Sequence, residues 1–252
     1  MKHLFAIGLS AVLAWGIGSG AARAQASPSG GPPVGWLRIS SVAPLRGHWS
    51  LHSEVETRQN NAQLAAQYLG RVGLRWHYGP SFSVTTGYVL AYNELQPGDP
   101  REPLPEHRLY QEIALADATG PLRVGHRLRA EERWLRPAPE AGFRFAPRLR
   151  YHLRLVAPLR RDAKLPVGSL FLTASNEFFA GLGAHTGRSF LEENRLSGGL
   201  GYRLSRLTTV ELAYLRQTQT AGYEAAPLAR NAVQLSLAYA PAARQSLVRQ
   251  PL

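Results

Sequence analysis

Between Phe143 and Val156 the chain reads FRFAPRLRYHLRLV, with an apolar side chain at every second position: Phe143, Phe145, Pro147, Leu149, Tyr151, Leu153 and Leu155. The positions between them carry Arg144, Arg148, Arg150, His152 and Arg154. Side chains on a β-strand point alternately to opposite faces, so this stretch has one greasy face and one cationic face. A helix would scatter the same arginines, since a two-residue step turns them about 200° apart. A soluble sandwich strand alternates too, but its polar face is normally neutral or mixed. The pattern recurs along the chain and points to a β-barrel of the outer-membrane kind, with its charged face turned inward.

The N-terminus supports export. Lys2 and His3 precede an apolar run from Phe5 to Ile17, and Ala22-Arg23-Ala24 offers a small-residue cleavage site. The run is too short for a comfortable transmembrane helix, which needs about 20 residues. Residues 1–24 are therefore read as a cleaved signal peptide, and 25–35 (QASPSGGPPVG) as a flexible linker. Residues 36–240 form the expected outer-membrane barrel, and 241–252 a C-terminal tail. No later apolar run is long enough for a helical span, so a membrane protein with this sequence must cross as a closed barrel.

Eleven candidate strands follow: 36–43, 48–58, 64–78, 81–93, 107–116, 122–135, 143–156, 169–179, 190–204, 207–217 and 231–239. Most are 9–15 residues long, about the length of tilted membrane strands and longer than the usual 5–6 of soluble domains. Tight connectors at 44–47, 79–80, 117–121 and 205–206 alternate with longer ones at 59–63, 94–106, 180–189 and 218–230, a rhythm typical of outer-membrane barrels. The long connector at 157–168 breaks that rhythm. Bacterial barrels have even strand numbers, so the count resolves to ten if 36–43 stays outside the wall, or twelve if it joins. Pro147 cannot donate to a strand ladder, which predicts a bulge there near the outer rim. The expected fold is all-β: a monomeric transmembrane antiparallel up-and-down barrel of about 10–12 strands with a polar lumen filled by Arg and Glu.

Strand parity assigns the interior. An arginine facing lipid near mid-membrane costs about 2–4 kcal/mol, so the arginine-bearing faces must point inward. This places Arg71 and Arg75, then Arg127, Arg129, Glu131 and Arg133, then Arg148, Arg150 and Arg154 in the lumen. Glu112, Glu177, Arg195 and Glu211 complete the candidate charge network. Arg108, Tyr110, Glu54, Glu56, Arg58 and Glu193 share the inward parity. Buried charges are tolerated only when paired and hydrogen-bonded, so the network is expected to fill and rigidify the interior. Aromatic residues near strand ends match the girdles of membrane barrels.

Other chemistries find less support. The net charge is +12, carried almost wholly by arginine. Those arginines alternate with apolar residues in strands instead of clustering, which argues against nucleic-acid binding. There is no cysteine, and no histidine pair or acidic loop with metal-ligand spacing, so no cofactor or metal is expected. Gly181–Gly183 is an isolated G-x-G lacking a strand–helix context. The segment 94–106 reads as a surface loop. A lipid hydrolase or deacylase would need a His beside a nucleophile on the outward face. Only His126 has that parity, and Leu109, Gln111 and Ile113 on the adjacent strand are not nucleophiles, so no catalytic residue is assigned. A small anion-preferring, porin-like channel and a soluble periplasmic binding protein are the remaining alternatives.

The stretches HRLYQEIAL (107–115), VGHRLRAEERWL (124–135), FRFAPRLRYHLRL (143–155), FLTASNEFF (171–179), ENRLSGGLGYRLS (193–205) and VELAYLRQTQ (210–219) carry a resemblance. So do the R-x-R-x-E-x-R spacing at Arg127, Arg129, Glu131 and Arg133, and the pair Asn194-Arg195. The chain resembles a family of Gram-negative outer-membrane barrels labelled domain of unknown function 2490, from about Trp36 to Tyr239. The resemblance implies a location and a fold; outer-membrane lipid and the barrel-assembly machinery are the partners expected of the barrel reading itself. It implies no reaction or ligand. Barrels of this kind commonly end on an aromatic residue, whereas here Tyr239 is followed by APAARQSLVRQPL.

Overall fold

A computed structural model of the chain describes residues 33–59, 65–93, 103–160, 165–182, 190–220 and 228–240. The expected signal peptide, most of the expected linker, Gly183 of the G-x-G and the expected tail beyond residue 240 lie outside the described residues. The strands are β1 (Val34–Pro44), β2 (Trp49–Gln59), β3 (Ala65–Tyr78), β4 (Phe82–Asn93), β5 (Leu104–Thr119) and β6 (Leu122–Leu135). They continue as β7 (Arg144–Phe145), β8 (Arg148–Pro158), β9 (Leu170–Gly181), β10 (Leu191–Arg203), β11 (Thr208–Gln219) and β12 (Leu228–Tyr239).

Each strand pairs antiparallel with its chain neighbour from β1 to β6 and from β8 to β12, and β6 pairs with β8. The two-residue β7 continues the ladder on β6. The sheet closes where β1 meets β12, from Val34↔Ala232 to Ser41↔Tyr239, and that pairing is parallel. The wall is thus a closed barrel of eleven strands, neither ten nor twelve. The alternation of β1 sends Trp36 inward and Leu37 and Ile39 outward, so β1 fits the wall and belongs in it. β1 and β12 both start at the end of the barrel that bears the long connectors. Only a parallel seam can join them, and closure leaves no free edge at the cost of slanted, slightly weaker bonds.

The short turns gather at the opposite end. Gly79 (φ 73°) and Gly120 (φ 59°) supply the left-handed conformation that the β3–β4 and β5–β6 turns require. The longer connector after β8 is tied down at this end too. The Gly168 N–H donates to the Arg203 carbonyl at 2.8 Å, the Leu159 N–H to the Leu170 carbonyl at 3.1 Å, and Ser169 Oγ to the Pro166 carbonyl at 2.6 Å.

Three further sequence expectations change. Pro147 makes no bulge: β6 pairs Leu135 with Arg144 and Glu131 with Arg148 in one register, and the ladder is only interrupted between Phe145 and Arg148. The prolyl carbonyl is still used, accepting the Leu182 N–H at 2.9 Å. Residues 104–106 belong to β5 and not to a surface loop, and Glu106 is buried. Trp36 is an interior residue and no part of an aromatic girdle.

The outer face is apolar, with Leu37, Ile39, Val55, Val72, Ile113, Leu128, Leu172, Leu196, Leu212 and Leu235 exposed. Many exposed rings lie toward its two ends, while Tyr88 and Tyr214 sit at mid-strand. Trp49, Tyr78, Tyr202 and Tyr239 lie at the short-turn end, and Tyr68, Tyr92 and Phe145 at the other. Trp76, Tyr78 and Phe82 form a run of ring contacts, with centroids 5.7 and 6.5 Å apart.

Parallel closure fixes where the ends of the wall lie. The chain has no native cysteine, so spin labels at Val34→Cys and Tyr239→Cys report cleanly. The register puts their backbones seven residues apart along the seam, about 23 Å. Double electron–electron resonance should show that separation. A population under about 10 Å would mean antiparallel closure with an even number of strands.

A candidate site in the barrel interior

The inward positions of the wall converge on a continuous network of guanidinium and carboxylate groups. Arg71 Nη1 donates to Glu54 Oε1 at 2.6 Å, and Arg38 and Arg58 both reach Glu56. Glu112 receives Arg129 on the neighbouring strand, Arg75 at 3.5 Å and Arg127 at 3.7 Å. Glu131 is held by Arg148 and Arg150, each at 2.5 Å, and Glu177 by Arg150 at 2.7 Å and Arg127 at 2.8 Å. Glu106 pairs with Arg108 at 2.9 Å and Arg133 at 2.6 Å. Glu193 receives Arg195 and also Gln217 Nε2 at 2.9 Å.

Several links bridge strands that are not neighbours. Arg154 on β8 places Nη2 2.6 and 2.7 Å from the two carboxylate oxygens of Glu211 on β11. Arg127 on β6 reaches Glu177 on β9. Arg195 on β10 lies 5.1 Å from the ring of Trp36 on β1, across the seam. The fully buried Phe179 is surrounded by Arg148, Arg150 and Arg195, at 5.0, 4.6 and 4.5 Å from its ring centre. Cation–π contacts of this kind add about 2 kcal/mol or more where water is excluded.

All thirteen residues of the sequence-derived charge set lie on the inner face and take part in ion pairs. Arg38 and Glu106 were missed. The inward parity of 36–43 would have marked Arg38, and extending the alternation of β5 back through Arg108 would have marked Glu106. Buried aromatic side chains also pack tightly against glycine. A Cβ at Gly201 would strike the ring of the buried Phe171, and one at Gly87 would come within 2.6 Å of the Tyr110 ring.

His126 points outward, and its Nδ1 lies 2.9 Å from the Tyr151 hydroxyl. Its register partners are Leu115 and Leu153. Asn194, also outward, donates Nδ2–H to Asn176 Oδ1 at 2.6 Å, so two outward amides satisfy each other. Inside the barrel, Ser50 Oγ and His77 Nε2 are 2.9 Å apart. Neither histidine has a carboxylate hydrogen-bonded to its ring among the described residues, and Ser50 and His77 are buried. Among the described residues no group of three or more His, Asp or Glu side chains is arranged to hold a metal ion.

The family model for a protein of unknown function, DUF2490, matches residues 34–224. No curated protein and no solved structure matches the chain.

Removing a single carboxylate from the network should cost far more than an exposed ion pair, because it strands buried guanidiniums. Glu131, whose side chain is fully inaccessible, anchors Arg148 and Arg150. Glu131→Gln is expected to lower stability by about 3–5 kcal/mol. The temperature at which the folded species is lost on a detergent gel measures this, and an unchanged temperature would mean the pairs contribute nothing.

Proposed function

The chain belongs to the DUF2490 family, and from that premise we propose that it is an integral outer-membrane β-barrel with a closed interior, acting as a non-catalytic structural element of the membrane. The observation that carries this reading is the division of the wall into two faces. A largely apolar outer face, interrupted by Gln111, His126 and the Asn176–Asn194 pair, surrounds a charged interior in which arginines and glutamates are bound to one another. An exposed apolar surface of this extent around a complete barrel has no stable place in water. In a bilayer it is the surface that lipid requires, and closure satisfies the backbone groups that lipid cannot.

The interior disfavours the porin-like reading. Arg154–Glu211 and Arg127–Glu177 run between non-adjacent strands, and Phe179 with its three arginines fills the space beside them. Little supports the hydrolase reading: His126 has a tyrosine hydroxyl beside it and Asp117 diagonally across on β5, but its register partners are leucines and not a nucleophile. Export by a cleaved signal peptide, insertion by the barrel-assembly machinery and a monomeric state complete the proposal.

Fractionation of Gram-negative cells expressing the chain tests it. The protein should sediment with the outer membrane and change mobility on a detergent gel between unboiled and boiled samples. Recovery in the soluble periplasm without a mobility shift would overturn the reading in favour of a water-soluble barrel. His126→Ala should leave lipid composition unchanged, and an altered acyl-chain pattern relative to cells carrying wild type would restore the hydrolase.

A further inference from the structure

The seam fixes where the polypeptide enters and leaves the wall. β1 is joined to β2 by the short connector 45–48, so its first residue, Val34, stands at the mouth that carries the long connectors. β12 follows the long connector 220–227, so its last residue, Tyr239, stands at the mouth of the short turns. The parallel pairing demands the same arrangement, with Val34 beside Ala232 and Ser41 beside Tyr239 on two strands that run in one direction. An even count would bring both ends to one mouth. Here Val34 could not reach Ala232 from the mouth where β12 ends.

The two mouths differ. Tight turns at 45–48, 79–81, 120–121 and 204–207 close the one that Tyr239 leaves, and the longer connector 159–169 is held against it by the Gly168–Arg203 bond. The connectors 94–103, 136–143 and 220–227 stand at the other. In outer-membrane barrels the short turns face the periplasm and the longer loops face the cell exterior. The flanking sequence is asymmetric in the same sense. From Gln25, which follows the A-x-A site, to Leu37 there is no ionisable side chain, and the first charge is Arg38, which pairs inside the barrel with Glu56. After Tyr239 come Arg244 and Arg249. A guanidinium is costly to carry through hydrocarbon. The end that this topology sends across the membrane is the one without charge, and the end that stays behind carries two arginines.

Resting on the outer-membrane reading above, we propose that the barrel displays the N-terminal side of its chain on the cell surface: the polypeptide enters β1 from outside the cell and leaves β12 into the periplasm. The segment released by signal cleavage crosses the outer membrane as the barrel assembles, and the wall then closes as the parallel β1–β12 pair. Pro33, exposed at the rim just before β1, marks the place where macromolecules outside the cell reach the chain.

The test uses the full chain in Gram-negative cells. With no native cysteine, three single-cysteine variants report sidedness: Pro33→Cys before β1, Glu140→Cys in the connector 136–143 and Arg46→Cys in a short turn. All three native residues are exposed and lie outside the strands, so folding is retained and the mobility shift on a detergent gel verifies it. A maleimide joined to a polyethylene glycol chain too large for porins is added to intact cells and to cells with a permeabilised outer membrane. Pro33→Cys and Glu140→Cys should be labelled to the same extent in intact cells and gain little on permeabilisation, while Arg46→Cys should be labelled only after it. If Glu140→Cys is labelled from outside but Pro33→Cys waits for permeabilisation together with Arg46→Cys, the proposal is overturned and the membrane reading stands. Labelling of Arg46→Cys alone in intact cells would reverse the orientation and overturn it as well. No labelling in intact cells, with the protein recovered in the soluble periplasm, would remove the membrane reading and the proposal together.

Discussion

The pairing of buried carboxylates with guanidiniums, several carboxylates being shared by two arginines, is the interaction on which the structure rests. Taking one such ion out of water costs several kcal/mol even after relaxation. Each of these groups has therefore to find its partners once the wall has closed around them. Arg127–Glu177 and Arg154–Glu211 can form only when β6, β8, β9 and β11 hold the correct register. A one-residue slip of any of these strands would turn its arginines to the apolar side. The network thus does for register what a hydrophobic core does for a soluble sandwich, while most of the large aliphatic residues are left on the outside.

Closure of the wall has a second consequence. Antiparallel neighbours follow one another by tight turns, and that rule alone would bring the last strand back to the first in antiparallel fashion only with an even count. The inward Trp36 and outward Leu37 and Ile39 make β1 a full member of the wall. The one parallel seam follows, and the ends of the described wall emerge at opposite ends of the barrel. Trp36 packs with Leu215 and Ala232 and lies under Arg58 and Arg195, so a ring and two guanidiniums bridge the interior side of this seam.

Much of this was legible in the chain, because a strand has only two faces and arginine is costly on the outer one away from the strand ends; the outward Arg216 lies near the end of β11. Arg127, Arg129, Glu131 and Arg133 declare the inner face of β6 by themselves, and Arg148, Arg150 and Arg154 that of β8. The parity of the strand count was not legible, since it depends on the pairing of β1 with a strand almost 200 positions away. Glu106 was hidden by the prolines around it, which read as loop although β5 begins at Leu104. The partner of each arginine was equally invisible: alternation gives the face but not the height at which Arg154 meets Glu211. Tyr110 was assigned inward, but its seat on Gly73 and Gly87 emerges only when three strands are in register.

The central claim is that this network shuts the barrel, and single-channel recording of the purified wild-type protein in a planar bilayer tests it most directly. The account predicts a silent bilayer after insertion has been verified by the mobility shift of the recovered protein. Stepwise, anion-selective currents that diminish when Arg150 and Arg154 are neutralised would contradict it and make the interior a conduit.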